Sequence, residues 1–114
     1  MRKLLLLVIA IGGLITMSET TNAFSTSPCK SCHAIDHDGV GPAWARIAKE
    51  YGSAEELAKV FKSGFKLQDR KIASTETQFK NKSSTMTLMY RTYIKGHEDE
   101  AAKAIFDATR SGKM

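Results

Sequence analysis

The sequence predicts a small all-α domain of about four short helices. Apolar residues recur at helical spacing in several segments, capping residues mark the segment ends, and no run alternates apolar and polar residues as a half-buried strand does. A chain of 114 residues forms one domain. Because a core of this size is marginal by buried area alone, the fold needs a further core element.

The N-terminus predicts an export signal over residues 1–18. Met1-Arg2-Lys3 is a charged start, and the apolar run from Leu4 to Ile15 has the length of a signal-peptide core and is too short to span a bilayer. Residues 19–114 then form the mature domain, although Thr21-Asn22-Ala23 offers a later cleavage position at residue 23. A retained membrane anchor is the alternative, and both interpretations predict export.

Two helices are predicted in the first half of the chain. Residues from about Glu19 to Ser27 form a short polar helix whose main apolar anchor is Phe24. Ala43 to Glu50 forms the second helix, because Trp44, Ile47 and Ala48 share one face. Gly52 stands just beyond its end, where a glycine commonly terminates a helix.

A third helix follows at once. Ser53-Ala54-Glu55-Glu56 is a capping box, in which the Ser53 hydroxyl accepts from the Glu56 N–H and the Glu56 carboxylate reaches back. An apolar stripe at helical spacing comes next, and Gly64 stops the helix; the stripe consists of Leu57, Val60 and Phe61.

The closing helix is predicted from about Glu98 to Arg110. Acidic residues stand at its positive N-terminus, and Arg110 stands near its negative end. Its expected buried face is made of Ala101, Ala104, Ile105 and Ala108. Between the third and closing helices, Phe65 to Thr85 reads as a long polar loop with Ile72 and Phe79 as anchors and a helical turn at Asp69–Ala73.

The run Cys29-Lys30-Ser31-Cys32-His33 has the C-x-x-C-H spacing that attaches a c-type haem. Two thiols form thioethers to the haem vinyl groups, and the adjacent imidazole reaches the iron. A thioredoxin-type redox pair would need a βαβ setting, for which the sequence offers no strands. A zinc site needs at least three protein ligands, and a plain disulfide is the remaining alternative.

The chain resembles the small bacterial class I monohaem cytochromes c. The resemblance runs from Ala23-Phe24 through Ser27 to Asp36, continues over Val40-Gly41-Pro42-Ala43-Trp44 and Ile47 to Gly52, and resumes from Glu98 to Ala108. It implies about four short helices wrapped around one covalently attached haem c, with a long polar loop before an axial methionine. It also implies that the Pro42 carbonyl orients His33, the proximal iron ligand, and that haem is attached in the periplasm.

The distal iron ligand is expected to be a methionine from the segment before the closing helix. Met86 is favoured and Met89 is the alternative; the proline that often follows this methionine in the family is missing here. His37 and His97 are less favoured, because each lies in a polar setting. Possible haem contacts come from three aromatic residues: Trp44, Tyr90 and Tyr93.

The predicted function is electron transfer by a monomeric periplasmic carrier that is not an enzyme. The net charge is +5, and basic residues from Lys59 to Lys95 predict docking onto redox partners with an acidic surface. The alternative is a haem subunit of a periplasmic oxidoreductase, for example in sulfur-compound oxidation or peroxide reduction. Nucleic-acid binding is excluded for an exported haem domain, and membrane contact is expected only through a retained signal segment.

Overall fold

The computed structural model describes residues 24–114. The predicted signal peptide, its alternative cleavage position at residue 23 and the start of the predicted first helix lie outside the described residues. Five α-helices and no strand occur in residues 24–114, so the all-α prediction is confirmed. The helices are α1 (Trp44–Tyr51), α2 (Ala54–Lys62), α3 (Thr77–Lys80), α4 (Ser83–Met89) and α5 (Glu98–Ser111).

The structure contradicts the C-terminal part of the predicted first helix. Residues 24–26 have no regular structure, and a single 3₁₀ turn follows at Ser27–Cys29. Pro28 lies in the first positions of that turn, where the fixed φ and the missing N–H of a proline are tolerated at the start of a helical segment. Phe24 nevertheless packs against the core, as its apolar side chain predicts.

Helices α1 and α2 begin and end within one residue of their predicted limits. Gly52 ends α1 with a φ of 83°, a conformation that a residue with a Cβ rarely adopts. The Glu56 N–H donates to Ser53 Oγ over 3.2 Å, which is half of the predicted capping box. The other half is wrong, because the Glu56 carboxylate accepts from Lys59 Nζ over 3.0 Å.

The core forms where α5 packs against α1 and α2. Ala101 and Ala102 of α5 are fully buried, since side chains this small let neighbouring helices approach closely. Ala104, predicted for the buried face, is partly exposed, and Ala102 takes its place. Trp44 and Phe61 are the largest fully buried side chains of residues 24–114.

The segment from Phe65 to Thr85 is more ordered than the predicted loop. It holds a 3₁₀ turn at Leu67–Asp69, helix α3 and the start of α4. Ile72 and Phe79 are buried, as predicted. Contacts with distant residues hold the segment: Lys71 N–H donates to Tyr51 Oη over 3.0 Å, and Glu76 pairs with Arg46.

Helix α4 continues directly into a π-helical turn at Tyr90–Ile94. Met86 and Met89, the two candidate distal ligands, therefore lie on a helix. No helix within the described range is both long and apolar enough to cross a membrane.

Candidate functional site

The Cys29–His33 segment forms one tight turn at the wall of a cavity. Cys32 N–H and His33 N–H both donate to Cys29 O, over 3.2 and 3.0 Å, which brings the two thiols and the imidazole together. Both cysteines are free and half-buried. Burial, and to a smaller extent the nearby Cys32 thiol, raises the pKa of the Cys29 thiol. A thiol redox site needs a lowered pKa, so Cys29 is poorly suited to that chemistry.

The His33 ring is buried, and one of its nitrogens has a fixed partner. Nδ1 lies 2.8 Å from Pro42 O, and because a carbonyl oxygen only accepts, Nδ1 carries the proton. Nε2 then keeps its lone pair, which is the form of imidazole that binds a metal. Burial lowers the pKa of His33, while the Pro42 carbonyl acts in the opposite direction. The ring is thus held neutral and oriented.

Gly41 lies directly against the face of this ring. A Cβ at position 41 would lie 2.4 Å from His33 Cε1 and 2.8 Å from both ring nitrogens. Gly41 N–H also donates to Cys32 O over 2.8 Å, which fixes the backbone at this distance. The imidazole therefore occupies space that only a glycine leaves free.

A cavity that is open to solvent at its mouth adjoins this turn. All five α-helices contribute to its walls, together with the 3₁₀ turn, the chain around Pro42 and the segment between α2 and α3. The lining is predominantly apolar and includes Trp44, Ile47, Leu57, Phe61, Ile72, Phe79, Ala101 and Ile105.

Both candidate methionines of α4 line this cavity. Met86 and Met89 are three residues apart, so they share one face of the helix. Lys82 and Tyr93 line the cavity as well, and both side chains are exposed. Met86 alone of the two methionines also packs against the buried core.

The three aromatic residues that were predicted as possible haem contacts differ in their position relative to the cavity. Trp44 lines the cavity with its ring centroid 6.2 Å from that of His33, and Tyr93 lines it with 40 % of its surface exposed. Tyr90 does not line the cavity: its hydroxyl donates to Phe61 O over 2.6 Å within the core. The suggested haem contact of Tyr90 is therefore not supported, because the π turn directs its ring into the protein.

Neither alternative histidine is placed at the cavity. His37 is exposed and lies 2.9 Å from Asp36, and His97 is exposed and lies 3.4 Å from Glu100. Within residues 24–114, no group of three or more His, Cys, Asp or Glu residues is arranged to hold a metal ion. The arrangement of these side chains therefore does not support a zinc site in residues 24–114.

The sequence did not reveal the place of Arg70, which was counted with the basic surface. The structure buries Arg70, leaving 4 % of its surface exposed, in the wall of the cavity. Its neighbours in sequence are polar and basic, so no local pattern distinguishes it from an exposed arginine. The steric role of Gly41 was also missed, although Gly41-Pro42 was recognised as part of the resemblance.

These residues fit a covalently attached haem. Two free thiols at the right spacing adjoin a neutral imidazole, and an apolar cavity with thioether side chains extends from them. The family model described as Cytochrome c matches residues 19–107. The chain belongs to the cytochrome c family. The family implies a covalently bound haem c, and Cys29-Lys30-Ser31-Cys32-His33 supplies the matching motif.

A relative supports the same assignment. Cytochrome c-551 of Stutzerimonas stutzeri is 33 % identical over 73 residues, which cover 56 % of this chain and 70 % of the relative. No solved structure gives a significant match. Family and relative together identify an electron-transfer haem protein, a carrier and not an enzyme.

Proposed function

We propose that this cytochrome c is a periplasmic monohaem electron carrier in which Cys29 and Cys32 hold the haem and His33 and Met86 bind its iron. One observation carries the proposal: a single apolar cavity gathers both thiols, the oriented imidazole and the α4 methionines. When bound, the haem supplies a one-electron Fe(III)/Fe(II) couple.

The protein residues around the cavity have distinct tasks. Pro42 keeps the proton of His33 on Nδ1, so that Nε2 is available as a ligand. The apolar lining excludes water from the site, and a methionine ligand raises the reduction potential. Such a site suits electron transfer, since its ligands need not change during the reaction.

The contacts of the two methionines support Met86 as the distal ligand. Met86 packs against the core as well as lining the cavity, so its side chain is held from two sides. Met89 lines the cavity without that core contact. A ligand held by its surroundings loses less side-chain entropy on binding, which favours Met86.

Substituting each methionine in turn tests this assignment. Met86→Ala is expected to abolish the weak red-edge absorption band of the oxidised Met–Fe bond and to lower the reduction potential. Met89→Ala is the matched control and is expected to keep the band. The opposite result would assign the iron to Met89, and a band that survives in both variants would refute a methionine from α4.

A partner-docking surface is proposed at the cavity mouth, with fewer basic residues than the sequence suggested. Lys59 pairs with Glu56 over 3.0 Å and Lys62 pairs with Asp99 over 2.9 Å, while Arg70 is buried. Within residues 24–114, six exposed basic residues of this stretch have no carboxylate within 4.0 Å. They are Lys66, Lys71, Lys80, Lys82, Arg91 and Lys95.

Lys82 connects this charge to the site, because its side chain lines the cavity and is exposed. A positive rim would steer an acidic redox partner toward the haem. A triple change of Lys80, Lys82 and Lys95 to Glu is expected to slow association with an acidic partner and to leave the reduction potential nearly unchanged.

A control triple keeps the same change in net charge. Lys49, Lys103 and Lys113 are exposed and do not line the cavity, so their reversal to Glu should affect association less. Stopped-flow electron transfer over a range of ionic strengths makes the comparison, since the Debye length falls to about 8 Å at physiological salt. Equal effects of the two triples would refute a localised docking surface.

The periplasmic location rests on the charged and apolar start of the chain, proposed as a signal over residues 1–18. Fractionation of cells that express the full chain, with N-terminal sequencing of the mature protein, tests it. Haem-bearing protein that keeps its first residues and stays with the membrane would indicate a retained anchor instead.

A further inference from the structure

The peptide group between Pro42 and Ala43 has both of its polar atoms bound to side chains. Its carbonyl oxygen, Pro42 O, accepts from His33 Nδ1 over 2.8 Å. Its N–H, which belongs to Ala43, donates to Asp38 Oδ1 over 2.8 Å. Because the C–N bond of a peptide group has partial double-bond character, these two hydrogen bonds share one conjugated group. The His33 imidazole and the Asp38 carboxylate therefore lie at opposite ends of the same amide.

An ion pair holds the Asp38 carboxylate in this place. One terminal nitrogen of Arg46 donates to Asp38 Oδ2 over 2.9 Å, and the other donates to Glu76. The guanidinium is thus shared between two carboxylates, so the three side chains together keep a net negative charge. None of them lines the haem cavity, and Asp38 leaves 35 % of its side-chain surface exposed. Water weakens the direct field of such a charge, whereas a hydrogen bond transmits its effect to the bonded group.

The charge of Asp38 changes the acceptor strength of Pro42 O. A hydrogen bond to an ionised acceptor is stronger than one to a neutral acceptor, and hydrogen bonds in a chain polarise one another. A carboxylate at the N–H end therefore draws more negative charge onto the carbonyl oxygen of the same amide. Both bonds of this peptide group are 2.8 Å long, within the range of about 2.7–2.9 Å for charge-assisted bonds.

A stronger hydrogen bond at Nδ1 of His33 makes Nε2 a more basic ligand, because the partner of the outer nitrogen raises the basicity of a metal-bound imidazole. A more basic ligand gives more electron density to the iron and so favours its oxidised state. The reduction potential is then lower than it would be with a neutral residue in place of Asp38.

We propose that Asp38 is a positioning residue for electron transfer, which acts on His33 through the Pro42–Ala43 peptide group and lowers the reduction potential of the haem. The inference rests on the proposed function, in which His33 binds the haem iron. Asp38 itself lies outside the cavity and is separated from the ligand ring by one amide.

The test removes the charge and keeps the acceptor. Asp38→Asn offers a neutral carbonyl oxygen to the Ala43 N–H, so the hydrogen bond becomes weaker without being lost. In NMR spectra of the reduced, haem-loaded protein, the His33 Nδ1–H signal is expected to move upfield and to exchange faster with water. In a spectroelectrochemical titration, the Fe(II):Fe(III) ratio at a fixed potential is expected to rise about threefold, a shift of about 28 mV for one electron. This is less than the effect of about tenfold or more that follows the loss of a direct partner of a metal-ligating histidine.

Asp36→Asn is the matched control. Asp36 lies in the same loop two residues earlier, leaves 86 % of its side chain exposed and pairs with His37. The same chemical change therefore removes an equal charge without touching the Pro42–Ala43 peptide group. The His33 Nδ1–H signal and the Fe(II):Fe(III) ratio should keep their wild-type values.

Arg46→Met tests the proposal in the opposite direction and decides if Asp38→Asn does not fold. The guanidinium draws part of the Asp38 charge toward Oδ2, away from the oxygen that binds the Ala43 N–H. Without it, the His33 Nδ1–H signal should move downfield and the Fe(II):Fe(III) ratio should fall.

Specific results would overturn the proposal. It fails if Asp38→Asn leaves the His33 Nδ1–H signal in place, even with a changed ratio, because the charge would then act only through its field. It fails if the signal moves and the ratio does not, or if Asp36→Asn changes both as much. It also fails if Arg46→Met leaves the signal unchanged or moves it upfield. A wild-type protein without a one-electron haem couple would refute the proposed function instead, and the signal would still show whether Asp38 strengthens the bond to Pro42.

Discussion

We predict that Gly41→Ala destabilises the haem-loaded protein and disturbs the orientation of His33. The added Cβ would lie 2.4 Å from His33 Cε1 and 2.8 Å from both ring nitrogens, which is well inside contact distance. The ring has little freedom to move away, because Nδ1 is bound to Pro42 O over 2.8 Å and Cys32 O accepts from Gly41 N–H over 2.8 Å. The backbone must shift or the His33–Pro42 bond must break.

The size of the effect follows from these two contacts. Overpacking costs about 1–3 kcal/mol, and the lost hydrogen bond costs about 0.5–1.5 kcal/mol. A total of about 1.5–4.5 kcal/mol corresponds to a decrease in Tm of about 6–36 °C for a domain of this size. We expect the reduction potential to change as well, since Pro42 would no longer hold the proton of the ligand ring.

Gly39→Ala is the matched control. A Cβ at position 39 would lie 3.7 Å from Cys32 O, which is an ordinary contact, and Gly39 does not have a positive φ. Thermal unfolding followed by circular dichroism, together with titration of the haem, compares the two variants. A Gly41→Ala protein within about 0.5 kcal/mol of wild type, or an equal loss in Gly39→Ala, would refute the steric argument.

Three further predictions concern the attachment residues, the core and a helix cap. Cys29→Ala with Cys32→Ala should remove covalent haem, seen as loss of haem stain on a denaturing gel; a stained band would contradict thioether attachment. Tyr90→Phe should cost about 1 kcal/mol by removing the bond to Phe61 O, and a changed haem spectrum would show that Tyr90 does reach the cavity. Ser53→Ala should cost about 1 kcal/mol by removing the α2 cap, and an unchanged unfolding midpoint would exclude a contribution from this cap.

The sequence predicted most accurately the helices whose ends are set by residues at those ends. Gly52 and Ser53 mark the junction of α1 and α2, and the structure places both at helix ends. The limits of α5 also follow from its own residues, because acidic side chains begin it and Gly112 ends it with a φ of 77°. Whether Ala102 or Ala104 is buried depends on how the neighbouring helices pack against α5. The sequence pattern of α5 alone therefore did not identify the buried residue.

The segment after α2 was harder to predict because distant contacts shape it. Arg46 pairs with Glu76, 30 residues away, and Tyr51 Oη accepts from Lys71 N–H, 20 residues away. Helix α4 begins without a side-chain cap, so its first residues carry no start signal. The burial of Arg70 likewise depends on acceptors in two other segments, Phe65 and Ser83, which no pattern around position 70 indicates.

The packing of α5 also bears on the order in which the protein matures. Cys29 to His33 is synthesised before Ala101 and Ile105, which line the same cavity and belong to α5. The cavity therefore gains the wall that α5 supplies only after Ala101 and Ile105 have been translated. A stop codon ahead of Glu98 would leave the attachment motif intact and remove the enclosure, so intact thiols alone do not guarantee a haem-binding product.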